Sequence, residues 1–354
     1  MNRLVAAVLV FMAAIALHPS AHAVDRPPQF VAIAFDNCTE LERWQELSDL
    51  AAELNKDGDR IHFTFFISGI NYLAEEKRNA YEGPHQRRGA SNINFGGSVA
   101  KVEKRVSFIN ALYARGHDIA SHAVGHFDGR GWSAADWQKE FSSYAELFDN
   151  VSRLNGLPDT VKLPIPASAV VGFRAPYLST SAGLYAALRE RGFRYDTSQT
   201  GEAWQWPEKK EGLWRFNLVD LKLHRSSRHT LSMDYNFFVV QAFGLDHSTT
   251  RAQHRDEMLE TYIDYFKANY AGNRAPLHIG HHFFNYHGGA YNEALKVFAR
   301  AVCGLPEVRC VSYRELADFM DRLDPATLEA YRKGDFEHRP APAIDISNAF
   351  ARSQ

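Results

Sequence analysis

His122 and His126 stand four residues apart, a spacing that on a helix projects both imidazoles from one face toward a single divalent metal. Alone, the pair is equally compatible with exposed or capping histidines. A third, oxygen-bearing ligand would complete a facial set that leaves positions open for water and substrate, and Asp36 and Asn37 are the candidates. Both close the apolar run Phe30–Phe35. Arg174 and Tyr177 follow Val170–Phe173, and Asp234 and the adjacent pair His281 and His282 come later. A single Asp or His after a strand is ordinarily a turn or cap residue. Several such polar ends in one chain argue for a site.

Parallel sheets collect functional groups at the carboxyl ends of their strands, so the elements before these residues must be strands separated by helices. Phe30–Phe35 reads as a buried strand. Residues 41–54 place Leu41, Trp44, Leu47 and Leu50 at three-residue spacings, a helix, and Ile61–Ile67 is the next strand. A helix over 101–115, an apolar segment over 118–121, a long helix over 132–154 and a strand over 170–173 continue the alternation, which predicts an α/β fold with a largely parallel sheet. Residues 71–97, rich in Gly, Asn, Arg and aromatics, interrupt it. A loop longer than about 12–15 residues inside a domain is usually functional, so this one is expected to wall a substrate cleft. The polar, Pro-containing stretch 325–354 is expected to be an extended C-terminal tail, leaving 24–324 as one catalytic domain.

At the N-terminus, Arg3, the apolar run Leu4–Leu17 and Ala21-His22-Ala23 have the pattern of a signal peptide over 1–23, cleaved after Ala23, which predicts a secreted or periplasmic protein. The run is short of the roughly 20 residues of a membrane span. The 354 residues carry 40 Lys and Arg against 42 Asp and Glu with no basic block, which argues against nucleic acid as partner and favours a neutral substrate. In an oxidising compartment Cys303 and Cys310 are expected to close a disulfide, with Cys38 a small buried hydrophobe.

Phe35-Asp36-Asn37, Ser121-His122-Ala-Val-Gly-His126, Arg174-Ala-Pro-Tyr177, Asp234 and Leu277-His-Ile-Gly-His281 fall in the order of motifs typical of polysaccharide deacetylases, carbohydrate esterase family 4, and the chain resembles that family from Phe30 to Met320. The resemblance implies a distorted (β/α)-barrel with about seven strands, a bound divalent metal, zinc or cobalt, and hydrolysis of N-acetyl or O-acetyl groups on a glycan. By the same resemblance Asp36 is the general base, His122 and His126 are metal ligands, Arg174 positions the base, and the Tyr177 backbone N–H meets the oxyanion. His281 takes the place of the general acid, oriented by Asp234. Asn37 departs from the pattern, because the family has a second aspartate there. An amide oxygen still coordinates but is neutral, so the metal is held more weakly, with water or Glu40 as substitute ligands.

The adjacent His281 and His282 point to opposite sides of an extended strand, and the family alignment assigns His282 a supporting place. His278 reads as a hydrogen-bonded core histidine and His287 as a loop residue. Aromatic residues make up 13% of the chain, and Tyr177, Trp204, Trp206, Tyr235 and Phe283 lie nearest the site residues in sequence, as candidates to stack on sugar rings. The expected activity is removal of an acetyl group from an acetylated glycan, most simply an N-acetyl group. The alternatives are hydrolysis of another non-peptide C–N bond in a small molecule, and a glycan-binding protein that has lost turnover with Asn37.

Overall fold

In the computed structural model, which describes residues 24–58 and 60–352, twelve strands succeed one another along the chain. They are Gln29–Asp36 (β1), Thr64–Ile67 (β2), Asp118–Ser121 (β3), Gly172–Phe173 (β4), Tyr195–Asp196 (β5), Thr200–Glu202 (β6), Glu208–Lys210 (β7), Leu213–Arg215 (β8), Leu218–Lys222 (β9), His229–Leu231 (β10), Leu277–His282 (β11) and Val308–Val311 (β12). The segment read as a signal peptide lies outside the described residues. Seven strands, β11-β1-β2-β3-β4-β5-β8, follow one another in parallel, and β7 closes one edge antiparallel to β8. The sheet curls into the expected distorted barrel.

β1 is buried at every position, and its alternation defines two cores. Val31, Ile33 and Phe35 face the helices outside the sheet, with Trp44, Leu47 and Leu50 of helix Leu41–Leu54. Phe30, Ala32 and Ala34 face inward, with Phe66, Tyr195, Phe216 and Tyr313. β12 wedges beside the first half of β1, pairing Gln29–Ala32 with Val308–Val311, while β2 takes the second half of the same strand. The disulfide Cys303–Cys310 forms as expected and closes the turn into β12. A small sheet, β10-β9-β6, abuts β11 through a parallel bridge from Met233 to Gly280, whose N–H donates to the Ser232 carbonyl at 2.9 Å.

Several boundaries differ from the expectation for local reasons. The long helix over 132–154 is two, Ala134–Asp149 and Val151–Asn155, because Asn150 leaves the helical region between them. The first starts on a reciprocal cap, Ser133 with Asp136, a device whose loss costs about 1 kcal/mol. Strand 170–173 shortens to Gly172–Phe173, where Gly172 leaves room for the Tyr195 ring. The tail is not extended. It forms helices Pro325–Lys333 and Ile346–Ala351, with Tyr331 stacked on Trp206 at 5.3 Å and Ala349 buried in the outer core. Its apolar residues were too widely spaced among Pro and charge to show a periodic face. Among the described residues no helix is long and apolar enough to cross a membrane.

Two buried histidines outside the chemistry stay neutral. His117 accepts the Phe63 N–H on Nδ1 at 2.8 Å, and burial, aided by His62, lowers its pKa to about 3. His278 packs against both Phe216 and Tyr313, and burial followed by the Arg174 charge takes it to about 3 as well. In the unfolded chain each titrates near 6.5. The unfolded state therefore binds the extra protons, and the stability these groups contribute, intact above about pH 6.5, is lost as the pH falls, by up to about 1.4 kcal/mol per pH unit for each histidine. Urea unfolding followed from about pH 7.5 to about pH 4.5 is expected to show this decline. It should be shallower in His278→Phe, and identical slopes would refute the assignment.

Candidate active site

Parallel pairing of β1 with β11 sets Asp36 beside His282 and Phe35 beside His281, and neighbouring residues on parallel strands share a face. Asp36 and His282 therefore point the same way, into a cavity of about 460 Å³ lined by Asn37, His122, His126, Tyr177, Tyr235 and Tyr286 among others. His281 points the other way, into the outer core, its ring 6.4 Å from Phe35 and its Nε2 3.2 Å from the Tyr262 hydroxyl. The structure thus puts His282, not His281, at the cleft. Period-two alternation carried the signal: Leu277, Ile279 and His281 form the helix-facing set of β11, as Val31, Ile33 and Phe35 do for β1.

Asp234, buried at the start of helix Asp234–Ala242, holds His282 twice. Its Oδ1 accepts from the His282 Nδ1–H at 2.7 Å and its Oδ2 from the His282 backbone N–H at 2.8 Å. His281 Nδ1 is 3.7 Å from the same carboxylate, beyond hydrogen-bond reach. Burial works against the charged form of His282, but the Asp234 charge and hydrogen bond outweigh it and raise the imidazole pKa. Burial lowers His281 to about 4, against the pull of Asp234. Only His282 is set up to carry a proton near neutrality. Its Nδ1 is engaged, so Nε2 is the nitrogen left for chemistry.

Just past β4, Arg174 Nη1 donates to Asp36 Oδ1 at 2.9 Å while its Nε donates to Thr197 Oγ1 at 2.8 Å. The guanidinium is fully buried, 4.3 Å over the Phe66 ring. Breaking such a buried pair from one side typically costs about 3–5 kcal/mol, so the carboxylate is fixed in direction. The Arg174 carbonyl also accepts from His122 Nδ1–H at 2.8 Å, which leaves His122 Nε2 as the free ring nitrogen. His126 lies close by, ring centroids 5.1 Å apart. The two histidines do not share a helix face as their spacing suggested. They meet through a loop in which Ala123 (φ 58°) and His126 (φ 55°) are left-handed.

That loop is held from behind. Glu140 Oε1 accepts the Val124 and Gly125 N–H groups at 2.9 and 3.2 Å, and the Tyr81 hydroxyl donates to Glu140 Oε2 at 2.8 Å. The Gly69 N–H donates to the Ala123 carbonyl and the Asn92 N–H to the Gly125 carbonyl, each at 2.9 Å. Residues 71–97 therefore do not wall the cavity, and none of them lines it. They brace the loop that carries His122 and His126, a long-range role without a local sequence signal.

Asn37 is left-handed (φ 51°), buried, and its Oδ1 has no hydrogen-bond partner; neither does His126 Nδ1. An orphaned buried amide oxygen and a free imidazole nitrogen in one cavity are unfavourable unless an electrophile meets them, so the set Asn37, His122 and His126 suits a divalent cation. Burial lowers both histidines, His126 to about 3, and so keeps the neutral, coordinating form. Among the described residues no cluster of three or more His, Cys, Asp or Glu is placed to hold a metal, and the amide of Asn37 is outside that donor set. Glu40 is exposed and off the cavity, and Cys38 is buried with its thiol pKa pushed up by burial.

Of the aromatics, Tyr177 and Tyr235 line the cavity. Trp206 does not, because it is buried under Tyr331 with its Nε1–H donated to the Asn273 carbonyl at 2.8 Å; Trp204 is exposed elsewhere, and Phe283 belongs to the outer core. Tyr286 was overlooked, being in a loop read for its neighbour His287. It lines the cavity 5.6 Å from Tyr235. His287 is buried and pairs with His254 at 3.1 Å.

No family model matches the chain. Chitin deacetylase 1 of Bombyx mori is 26% identical over 145 residues, 40% of this chain but only 25% of that protein. Chitin deacetylase 8 of the same organism is 24% identical over 295 residues, 76% of this chain and 71% of that one. A solved structure from Mycobacterium smegmatis, described as a polysaccharide deacetylase, superposes with a TM-score of 0.52 over 85% of this chain and 94% of that one, at 16% identity. This is the polysaccharide deacetylase fold. The resemblance to carbohydrate esterase family 4 read from the motifs is met both by sequence relatives and by architecture. Within the deacetylase fold, the polar ends of β1, β3, β4 and β11 converge on one cavity.

The brace behind the histidine loop is testable. Glu140→Leu strands two backbone N–H groups and a hydroxyl in the interior and is expected to cost about 3–5 kcal/mol in urea unfolding. Tyr81→Phe removes one donor and is expected to cost about 1–2 kcal/mol. Wild-type stability in Glu140→Leu would show that the loop does not depend on this carboxylate.

Proposed function

We propose that this chain is a metal-dependent carbohydrate deacetylase that hydrolyses an acetamide on a glycan, acting outside the cytoplasm after removal of a signal peptide. The observation that carries the reading is the placement, side by side in one cavity, of a carboxylate held by arginine and an imidazole held by aspartate. A base and an acid sharing one cavity with a set of coordinating atoms is what amide hydrolysis needs, and simple binding has no use for it.

Asn37, His122 and His126 would hold the divalent ion, zinc or cobalt, which when bound supplies a Lewis acid that polarises a carbonyl and acidifies water. Asp36, with Oδ1 engaged by Arg174, presents Oδ2 to take the proton from the attacking water. The new C–O bond forms as the carbonyl becomes an oxyanion, toward which the Tyr177 backbone N–H donates. Tyr177 is left-handed (φ 56°), a conformation uncommon outside glycine and concentrated at functional positions. His282 Nε2 then gives its proton to the leaving nitrogen as the C–N bond breaks, releasing acetate and a free amine, while Asp234 offsets the charge on the imidazolium. The raised pKa of His282 suits an acid that must be protonated near neutral pH.

A second reading, a glycan-binding protein without turnover, draws on the neutral Asn37. Metal titration with acetate release separates the two. The enzyme is expected to bind zinc or cobalt and to release acetate only when loaded, and Asn37→Asp is expected to tighten metal binding by about tenfold or more through its added charge. Metal-free protein, inert on every acetylated glycan with either ion, favours the binding reading. His282→Ala is expected to lower kcat by about 10²–10⁴-fold, whereas His281→Ala acts mainly on stability. The reverse ranking would return the acid role to His281.

A further inference from the structure

β1 has Asp36 at its carboxyl end, and about 20 Å back along the strand Phe30 floors a second cavity, of about 460 Å³, at the opposite end of the barrel. The two cavities share no lining residue. Parallel pairing sets Arg309 of β12 beside Phe30 and Val311 beside Ala32, so Arg309 leaves its strand on the inward face that Phe30 occupies. Facing it is helix Tyr313–Asp321 with its C-cap Arg322. Glu315, Asp318, Phe319 and Arg322 follow at steps of three, one and three, which puts them on one helix face, and the Phe319 ring meets Phe30 with centroids 4.6 Å apart. Arg60 and His62, from the segment before β2, complete the wall. The two carboxylates of this cavity are engaged already. Glu315 accepts the Ser312 N–H at 2.8 Å and lies 2.8 Å from His62 Nδ1, and Asp318 pairs with Arg194 at 2.8 Å. The arginines are not so matched. Among the described residues only Arg87, Arg115, Arg309 and Arg322 lack a carboxylate or carbonyl partner for the guanidinium, and two of these line the one cavity, with Arg60 beside them 3.9 Å from Asp57.

We infer that this second cavity binds a small organic anion, its carboxylate or phosphate group between Arg309 and Arg322 and its apolar body over Phe30 and Phe319. Guanidinium groups present paired N–H donors that match carboxylate and phosphate oxygens, and an aromatic floor takes the apolar part. The volume lies in the range of small-molecule sites and is far more than a bare inorganic ion fills. With Glu315 and Asp318 held by other partners, the charge that remains to be met in the cavity is positive. The site is separate from the proposed reaction and does not depend on it.

Isothermal titration of the purified protein with 2-naphthoate, 2-naphthyl phosphate and uncharged 2-naphthol tests it. At least one of the two anions is expected to bind about tenfold or more tightly than 2-naphthol, and the tighter of the two tells a carboxylate ligand from a phosphate one. The double variant Arg309→Gln/Arg322→Gln removes two exposed, unpaired side chains, so it is expected to keep the wild-type melting temperature while binding the preferred anion about tenfold or more weakly. If the double variant fails to fold, the two single variants carry the same test, each expected to weaken the anion about threefold or more. No binding of either anion, or affinity no better than that of 2-naphthol, overturns the site. Wild-type anion affinity in the arginine variants also overturns it, because the anion is then held elsewhere. Inorganic phosphate binding as tightly as 2-naphthyl phosphate would refute the part given to Phe30 and Phe319.

Discussion

Arg174 is the residue on which the cavity depends. Its guanidinium is buried under Phe66 and divided between Asp36 and Thr197, and its backbone carbonyl fixes the ring of His122. One residue at the end of β4 thus orients groups from the ends of β1 and β3. A buried charge of this kind is tolerable only when matched by another, so base and arginine hold each other in place. Asp234 does the same work for β11, where its two oxygens fix His282 through both side chain and backbone.

The fold was legible in the chain because parallel strands buried on both faces leave continuous apolar runs, and Phe30–Phe35 is one. The shortest strands were less so: β4 was expected over 170–173 and has only two residues, and β5, also of two, is too short for periodicity to register. In the site, Asp36, Asn37, His122, His126, Arg174 and Asp234 could be picked out because each follows a strand or opens a helix. The choice between His281 and His282 required strand parity, and the motif's spacing overrode it. Trp204 and Trp206 show the opposite failing, in that closeness along the chain to site residues is no guide once the chain turns away into the small sheet. Glu140 and Tyr81 carried no signal, because they act on the histidine loop from distant elements.

Backbone strain is concentrated where the polar ends meet. Asn37, Ala123, His126, Tyr177 and Leu178 are all left-handed without being glycine. Each conformation persists because the surroundings over-determine it: Asn37 is locked between a buried strand and Cys38, and Ala123 is held by the N–H of Gly69. The neutral amide at position 37 lowers the negative charge of the donor set, so the preorganisation of its neighbours carries more of the burden of holding a cation there.

The placement of β1 has a consequence for synthesis. This apolar strand is made before every other strand described, yet its partners β11 and β12 begin at residues 277 and 308. Only β2 can reach it early, and only along half its length. Until some 250 further residues have been made, one edge of a hydrophobic strand has no native neighbour. That edge must therefore be shielded while the intervening residues are made, and the cleft cannot assemble piecemeal, because Asp36 and His282 become neighbours only when β11 pairs with β1.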